Sequence, residues 1–335
     1  MVEGQNQIGE YIVDFFERFH KEAPTETHVE LLDNILKVIN QMDCYRLDSL
    51  PGNEEIRTAV WELDPDSSPG LDGFSGAFFH KCWSLVEVEV CNAVRQFFST
   101  GYMPYGVNNN FLVLIPKVEG ANTLDRFRPL CMGNFFCKII SKVMAMRLEP
   151  LLPRLISKEQ GAFQKGKLIH DNISMASELA NLIWINWLHQ LLISSKISIL
   201  VNGGPQGYFK VERGLRQGDP ISPILFIIAE EVLSRGLSSL VQCKELQAIH
   251  GPRGAATPGH ILFVDDIFIF TNASLSLKKC VSSSIVSGVK KVWSFVEENQ
   301  RWIIGNGNLV NFSKDKWWGP KSVLEELQIM DLTAL

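Results

Sequence analysis

Apolar residues recur at intervals of three and four over long parts of the chain, which is the spacing of helices that bury one face. Residues 8–20 and 28–42 show this spacing first and predict two amphipathic helices. The same spacing predicts further helices over 53–63, 74–99, 134–148, 171–192 and 220–240. We expect Asn53 to cap the helix it opens and Asp219 to cap the last helix, with Pro220 at the first position, where a missing N–H costs no hydrogen bond.

Shorter apolar runs bounded by turn residues predict three pairs of strands. One pair is separated by a polar loop of about ten residues, one by an Asn-Gly-Gly-Pro turn, and one by two adjacent aspartates. The pairs are 111–115 with the segment that opens at 127, 197–202 with 208–211, and 260–264 with 267–270. Helices mixed with strand pairs predict an α/β (α+β) fold.

The composition is that of a globular protein, with 46% hydrophobic and 21% charged residues in a chain of 335. The N-terminus lacks the basic start of a signal peptide, and the most apolar later stretch, 181–195, is broken by Asn186, His189 and Gln190. We therefore expect a soluble intracellular protein without a membrane span. The seven cysteines form no pair with zinc-type spacing, so we expect buried free thiols.

Charge is distributed unevenly along the chain, whose net charge is −5. Residues 1–66 carry fifteen acidic and five basic side chains, whereas residues 126–170 carry nine basic and two acidic ones, a net −10 against +7. Two interpretations of the basic stretch stay open. It is either a solvated helix face or the surface of a non-catalytic nucleic-acid-binding protein, and the acidic total argues against strong non-specific binding by the whole chain.

Asp265 and Asp266 are the candidate catalytic residues that the pattern itself supplies. Adjacent carboxylates repel each other, which raises the pKa of one of them unless a cation intervenes. Mg²⁺ removes that cost, because it takes oxygen ligands from one or two carboxylates together with substrate phosphates, as in polymerases. Taken alone, the pair also fits an ordinary turn, since aspartate is common in turns.

Several strings of residues follow one another in a characteristic order. The most specific are RGLRQGDPISP at 213–223 and, about forty residues later, FVDD at 263–266. The others are SSPGLDGF at 67–74, LIPK at 114–117, RFRPL at 126–130, CKIISKVMAMRL at 137–148 and EQGAFQKGK at 159–167. In this order they resemble the reverse transcriptases of LINE-type (non-LTR) retrotransposons abundant in plants, over roughly residues 40–275.

The resemblance implies an RNA-directed DNA polymerase by ancestry, with polymerase-like fingers and an incomplete palm over residues 51–275, after a helical lead-in over residues 1–50. Its partners would be an RNA template, a DNA primer and deoxynucleotides, its cofactor Mg²⁺, and its location nuclear or cytoplasmic; the oligomeric state stays open. Residues 276–335 resemble a segment found downstream of the polymerase domain in the same retroelements. Without that resemblance, the tail would be a small β-hairpin turned at 305–307.

The resemblance also assigns individual residues. Asp265 corresponds to a metal-binding catalytic aspartate and Asp266 to its less central neighbour. Lys117 and Arg128 correspond to fingers cations that neutralise the triphosphate of an incoming nucleotide. The residues Arg216, Gln217 and Gly218 correspond to the loop that packs against the template and the nascent base pair.

One element of the family pattern is missing from this sequence. In the family, a strand that bears the first catalytic aspartate lies between the segments corresponding to 171–182 and 196–202, and here the two join near 183–186, with no Asp or Glu from Ala180 to Val211. Two-metal transfer needs carboxylates from two strands, so we predict an inactive polymerase. We also expect the 261–270 hairpin either to pair with 197–202 or to belong to a poorly packed palm.

Overall fold

The computed structural model describes residues 5–21, 39–157, 159–160, 183–244, 258–263 and 266–270. Its helices are α1 Gln5–His20, α2 Gln41–Asp48, α3 Asn53–Glu62, α4 Gly76–Thr100, α5 Phe135–Leu148, α6 Leu152–Leu155, α7 Ile183–Ile193 and α8 Ser222–Gln242. Its strands are β1 Asn109–Pro116, β2 Phe127–Gly133, β3 Lys196–Val201, β4 Gly204–Lys210, β5 His260–Phe263 and β6 Asp266–Ile269. Runs of helices are separated by pairs of strands, as expected for a mixed α/β fold.

The first four strands form one mixed sheet in the order β2-β1-β3-β4. The hairpins β1–β2 and β3–β4 are antiparallel, as predicted, and β1 joins β3 in parallel. The turn between β3 and β4 places Asn202 and Gly203 at φ 51° and 81°, the left-handed conformation that two-residue hairpin turns require. Strands that lie far apart in the sequence thus become neighbours in the middle of the sheet, with Leu112 opposite Ile199.

Two apolar cores hold these elements together. The larger one lies among α2 to α8, and α5 runs through it with ten of its fourteen residues buried. The smaller one lies under the sheet, where Ile12 and Phe16 of α1 pack with Leu112, Ile197 and Phe209. The described part of the lead-in is therefore packed on the sheet and on the larger core.

The uneven charge of the sequence is used for packing between helices. Three cations of the basic stretch form ion pairs with carboxylates of the acidic N-terminal region. The pairs are Arg147–Glu55 at 2.7 Å, Lys142–Glu62 at 2.8 Å and Arg154–Asp43 at 2.7 Å. Lys138 donates to the backbone oxygen of Ser68 at 3.1 Å. Lys142 and Arg147 of α5 are thus neutralised by carboxylates within the fold and do not form a free nucleic-acid surface.

The helix predicted over 171–192, across the join, is confirmed for the residues that the structure describes. Residues 183–193 form α7, and 171–182 lie outside the described residues. Trp184 and Trp187 are buried in the larger core, where Trp187 contacts Phe98 edge to face at 4.7 Å. The backbone N–H of Trp184 donates to a carboxylate oxygen of Asp48 at 2.9 Å, which satisfies a donor of the first helical turn.

Three predicted helix boundaries were wrong for local reasons. Asn40 is extended and forms a reciprocal capping box with Asp43, so a helix begins at Gln41 and none runs from 28 through 42; residues 28–38 lie outside the described part. Gly52 holds the cap position that was predicted for Asn53. The last helix begins at Ser222 and not at Pro220, because the preceding turn is held by the side chain of Asp219.

The cysteine prediction was correct for three of the six described thiols. None of the six forms a disulfide; Cys91, Cys131 and Cys137 are buried, while Cys243 is exposed. Burial raises the pKa of Cys131 to about 11 and that of Cys137 to about 12, so both stay protonated thiols near neutral pH. Among the described helices, none has the length and apolar character that a membrane span requires.

Candidate functional site

The loop that precedes α8 docks on the free edge of β2. The backbone N–H of Cys131 donates to the carbonyl oxygen of Gln217 at 3.0 Å, so the loop continues the sheet by one hydrogen bond. The next residue, Gly218, has φ +104°, and a Cβ placed there would lie 3.0 Å from the oxygen of Cys131. Only glycine combines this backbone conformation with so close an approach to a strand. The side chain of Gln217 is exposed to solvent.

Arg216 is buried beneath this loop, with 5% of its surface exposed. Its guanidinium donates to Oδ1 of Asn108 at 2.7 Å and forms an ion pair with Asp219, whose other carboxylate oxygen accepts from the Ser141 hydroxyl. Of the three residues predicted to meet the template, Arg216 therefore points into the protein and holds the loop. Gln217 and Gly218 present the loop surface.

The polar network around Arg216 reaches the helix at the join. Asn108 also donates from Nδ2 to the carbonyl oxygen of Leu191 at 2.7 Å and to the hydroxyl of Ser194 at 2.9 Å, both at the C-terminal end of α7. Asn110 donates to the Ser195 hydroxyl at 3.0 Å. Sequence reasoning missed these residues. Their one visible signal is a run of three asparagines at 108–110 just before an apolar strand, where buried amides need partners.

The β1–β2 hairpin brings the two predicted fingers cations together. Ile115 pairs with Arg128, and the backbone N–H of Lys117 donates to the oxygen of Arg126 at 2.8 Å, so the three cations share one face of the hairpin. All three are exposed, and the opposite face carries the buried Leu112. Arg126 belongs with this set, although sequence reasoning did not single it out.

Strand β2 connects the cations of the hairpin to the loop before α8. Arg128 lies in β2, and Cys131, three residues further along the same strand, carries the contact to Gln217. Asp125, in the turn of the hairpin, has its pKa lowered first by a hydrogen bond from the Thr123 side chain, and further by Arg126 and Lys117. The Asp125 carboxylate thus stays ionised among the cations of the hairpin tip.

The predicted aspartate hairpin forms a sheet of its own. Strands β5 and β6 are antiparallel, with His260 opposite Ile269 and Phe263 opposite Asp266. Asp266 is thus the first residue of β6, and Asp265 lies outside the described residues. Of the two expected outcomes, the poorly packed palm stays a prediction, and pairing with 197–202 does not occur, since β3 lies between β1 and β4. Instead, the backbone N–H of Leu262 donates to the oxygen of Glu159 at 2.7 Å.

A buried chain of side chains anchors the hairpin to α8. The Ser234 hydroxyl lies 2.8 Å from Nε2 of His260 and 2.8 Å from the Ser157 hydroxyl, and the backbone N–H of Ser157 donates to Glu231 at 2.8 Å. His260 is 1% exposed and Ser234 is fully buried. The outer strand is less well covered, because Ile267 and Phe268 are 44% and 55% exposed. The hairpin is therefore fixed through β5.

Acidification should destabilise this fold. Burial lowers the pKa of His260, next to α8, and that of His20, at the end of α1, below the ordinary 6.5. Below about pH 6.5 the unfolded chain binds protons that the folded chain does not, so stability falls as pH falls. Burial raises the pKa of Glu231 and acts in the opposite sense, because its contribution is present in acid and is lost as pH rises above about 4.5.

Urea unfolding at pH 7.5 and pH 5.5 checks this expectation. The urea concentration at the midpoint of unfolding should be lower at pH 5.5 than at pH 7.5 for the natural chain. The variant with both His20→Gln and His260→Gln should show a smaller decrease in this midpoint. Equal losses in the two proteins would assign the acid sensitivity to other groups.

The described residues do not complete a metal site. Within them, no group of three His, Cys, Asp or Glu side chains could hold a metal ion. Asp266 is the first residue of β6, and Asp265 lies outside the described part. The residues predicted to bind Mg²⁺ are therefore not among these described side chains.

Comparisons with known proteins connect this geometry to a family. The family described as "Reverse transcriptase (RNA-dependent DNA polymerase)" matches residues 115–298, more than half of the chain. This span includes Arg128, the loop with Gln217, and the aspartate pair. Lys117 falls within it as well, so every candidate site residue predicted from the sequence lies inside the matched region.

Similar proteins come from mobile elements. An uncharacterized 149 kDa protein of transposon TX1 from Xenopus laevis is 22% identical over 63% of this chain and 19% of its own length. The retrovirus-related Pol polyprotein of a type-2 retrotransposable element from Drosophila melanogaster is 22% identical over 69% of this chain and 25% of its own. An uncharacterized mitochondrial protein of Arabidopsis thaliana is 43% identical over 20% of this chain and 55% of its own. The chain thus spans a quarter or less of the two long relatives.

Proposed function

Because the chain belongs to the reverse transcriptase (RNA-dependent DNA polymerase) family, in its non-LTR retrotransposon branch, we propose that it keeps the surfaces for template and nucleotide but no longer polymerises. In this proposal residues 51–275 are fingers and an incomplete palm. Residues 276–335 are a segment that lies further downstream in complete elements. The RNA template, the DNA primer and the deoxynucleotides are the proposed ligands.

One observation carries the proposal of inactivity. Where the family sequence has the strand with its first catalytic carboxylate, this chain has α7, which leads through Ser194 and Ser195 into β3. No Asp or Glu occurs from Ala180 to Val211, so neither α7 nor β3 has an acidic side chain to offer. Two-metal phosphoryl transfer requires carboxylates from two strands, and Asp265 with Asp266 supplies those of one strand. The family uses a divalent metal such as Mg²⁺, and these two aspartates are its proposed remaining ligands.

The fingers surface is proposed to survive. Lys117, Arg126 and Arg128 are exposed on one face of the β1–β2 hairpin, and cations in this arrangement can neutralise a triphosphate or a template phosphate. Gln217 and Gly218 form the adjacent surface on the edge of β2, while Arg216 acts as a positioning residue beneath them. Binding without turnover is the behaviour that this combination supports.

Changing Lys117 and Arg128 to Ala should weaken the binding of an RNA template annealed to a DNA primer. For every phosphate that is no longer neutralised, the slope of log affinity against log salt should fall by about 0.7 to 0.9, because fewer counterions are released on binding. Fluorescence anisotropy over a series of salt concentrations measures this slope.

The control is Lys81→Ala, an exposed cation on α4, away from the sheet. It should leave the affinity and the salt slope unchanged. A double variant that binds like the natural chain, or a control that loses as much as the double variant, would contradict the assignment of these cations to a nucleic-acid surface.

A further inference from the structure

Two exposed tyrosines and a lysine form a layered cluster at the start of β1 and β3, the end of the sheet away from Lys117. Nζ of Lys196, at the start of β3, lies 4.6 Å from the ring centre of Tyr105 and 4.7 Å from that of Tyr208. Tyr105 belongs to the loop that enters β1, and Tyr208 belongs to β4. The chain therefore brings three separate segments together around one ammonium group. We call these three residues the tyrosine–lysine platform.

Several contacts hold the platform in place. The Tyr208 hydroxyl donates to Oδ1 of Asn109 at 2.9 Å, and the ammonium of Lys196 donates to the Tyr105 hydroxyl at 3.3 Å. The pKa of Tyr105 is lowered, first by its hydrogen bond with Tyr208 and then by Lys196, which agrees with this geometry. Cation–π contacts of this kind contribute modestly at exposed sites, so the rings are oriented before any ligand arrives.

The platform is open to solvent although it is ordered by these contacts. Tyr105 is 79% exposed and Tyr208 is 46% exposed. An aromatic ring has two faces, and the lysine occupies one of them in each tyrosine. The remaining ring surface is available for a flat ligand. Packing of the fold does not account for this exposure, since the buried neighbour Phe209 already fills the core beneath β4.

The charge of the sheet indicates what kind of ligand fits. Asn109 pairs with Lys196, and Lys196 pairs with Lys210, so by strand alternation the platform lies on the same face as Lys117 and Arg128. The four strands β1 to β4 contain no Asp or Glu. A chain with a net charge of −5 thus has one sheet face that carries cations and exposed rings.

We propose that the tyrosine–lysine platform binds a single-stranded stretch of nucleic acid, with bases stacked on Tyr105 and Tyr208 and a phosphate next to Lys196. Every base offers a flat π-face, so this contact tolerates any sequence. This proposal rests on the proposed function only for the class of ligand, which is nucleic acid. The platform extends the binding surface along the sheet from the fingers cations toward the beginning of β1 and β3.

The test compares two labelled 15-nucleotide strands by fluorescence anisotropy: an oligouridylate RNA, and an abasic strand of equal length and charge. Tyr105→Ala and Tyr208→Ala should each weaken binding of the oligouridylate about 5- to 150-fold, the range for removing one stacked base. Binding of the abasic strand should stay unchanged. Tyr105→Phe keeps the ring and should retain most of the affinity. Lys196→Gln should weaken both strands and lower the salt slope by about 0.7.

Tyr102→Ala is the matched control, since Tyr102 is also an exposed tyrosine, at 63%, three residues before Tyr105 and outside the platform. It should bind both strands like the natural chain. The proposal is overturned if the natural chain binds neither strand, if Tyr105→Ala and Tyr208→Ala bind the oligouridylate normally, or if they weaken the abasic strand equally. If only the Lys117 and Arg128 variant binds more weakly, the proposed function stands and the platform proposal fails. If only the tyrosine variants bind more weakly, the platform proposal stands and the assignment of Lys117 and Arg128 fails.

Discussion

The purified chain should add no deoxynucleotide to a DNA primer annealed to an RNA template in the presence of Mg²⁺. Phosphoryl transfer depends on positioning and on neutralising charge in the transition state, and both need metal ions clamped between carboxylates of two strands. The chain has no acidic residue from Ala180 to Val211, the stretch in which α7 leads into β3. The expected loss of activity is therefore complete within the sensitivity of a primer-extension gel.

The reference for this assay is the Asp265→Ala variant, which removes the principal remaining carboxylate. Extension by the natural chain should be indistinguishable from extension by this variant over a long incubation. Template-dependent product above the level of Asp265→Ala would mean that another acidic residue completes the site, and the proposal of an inactive palm would fail. The Lys117 and Arg128 variant should still differ from the natural chain in binding, which separates loss of chemistry from loss of ligand binding.

Arg216→Met should lower the free energy of unfolding by about 3 to 5 kcal/mol, because it leaves the charge of Asp219 buried without its partner. The two side chains are 5% and 10% exposed. The substitution also removes the donor to Asn108, which links the loop to the end of α7. Urea unfolding monitored by tryptophan fluorescence measures the change, and release of Gln217 from the edge of β2 should accompany it.

Two variants separate the buried charge from the change in packing. Arg18→Met removes an ion pair with Asp14 whose side chains are 76% and 52% exposed, so its effect should be about 0 to 1 kcal/mol. Adding Asp219→Asn to Arg216→Met removes the stranded charge and keeps a polar group for the Ser141 hydroxyl. The double variant should recover part of the stability. A double variant no more stable than Arg216→Met would show that packing and the hydrogen bond to Asn108, not the charge, account for the effect.

Much of the fold could be predicted because it depends on local pattern. The apolar spacing of α5, the strands on both sides of residues 202 and 203, and the helix that ends at Ile193 all appear in the structure. Helix starts were less predictable. The start of α8 moved to Ser222 because the carboxylate of Asp219 binds Arg216 and Ser141, and these partners lie at very different places in the sequence.

In the candidate site, too, the sequence identified several residues but not the contacts that they make. Lys117 and Arg128 were recognised as a pair from sequence strings, and the antiparallel register then places them on one face. Arg216 was recognised as part of the loop, but its burial depends on Asn108, 108 residues away. The basic stretch around α5 was open to two interpretations until Glu55 and Glu62 were found beside its cations. A charge count cannot tell which opposite charges will meet.

The sequence by itself determined the family, the order of helices and strands, and the absence of a carboxylate in the segment that leads into β3, because these are properties of residue type and spacing along the chain. Tertiary structure alone decided that β3 pairs with β1, that the aspartate hairpin rests on α8 through Ser234 and His260, and that Tyr105, Lys196 and Tyr208 come together. The physical reason is that these contacts join segments far apart in the chain, where the pairing that forms depends on all the competing ways of burying apolar surface and satisfying polar groups, and no local pattern records that competition.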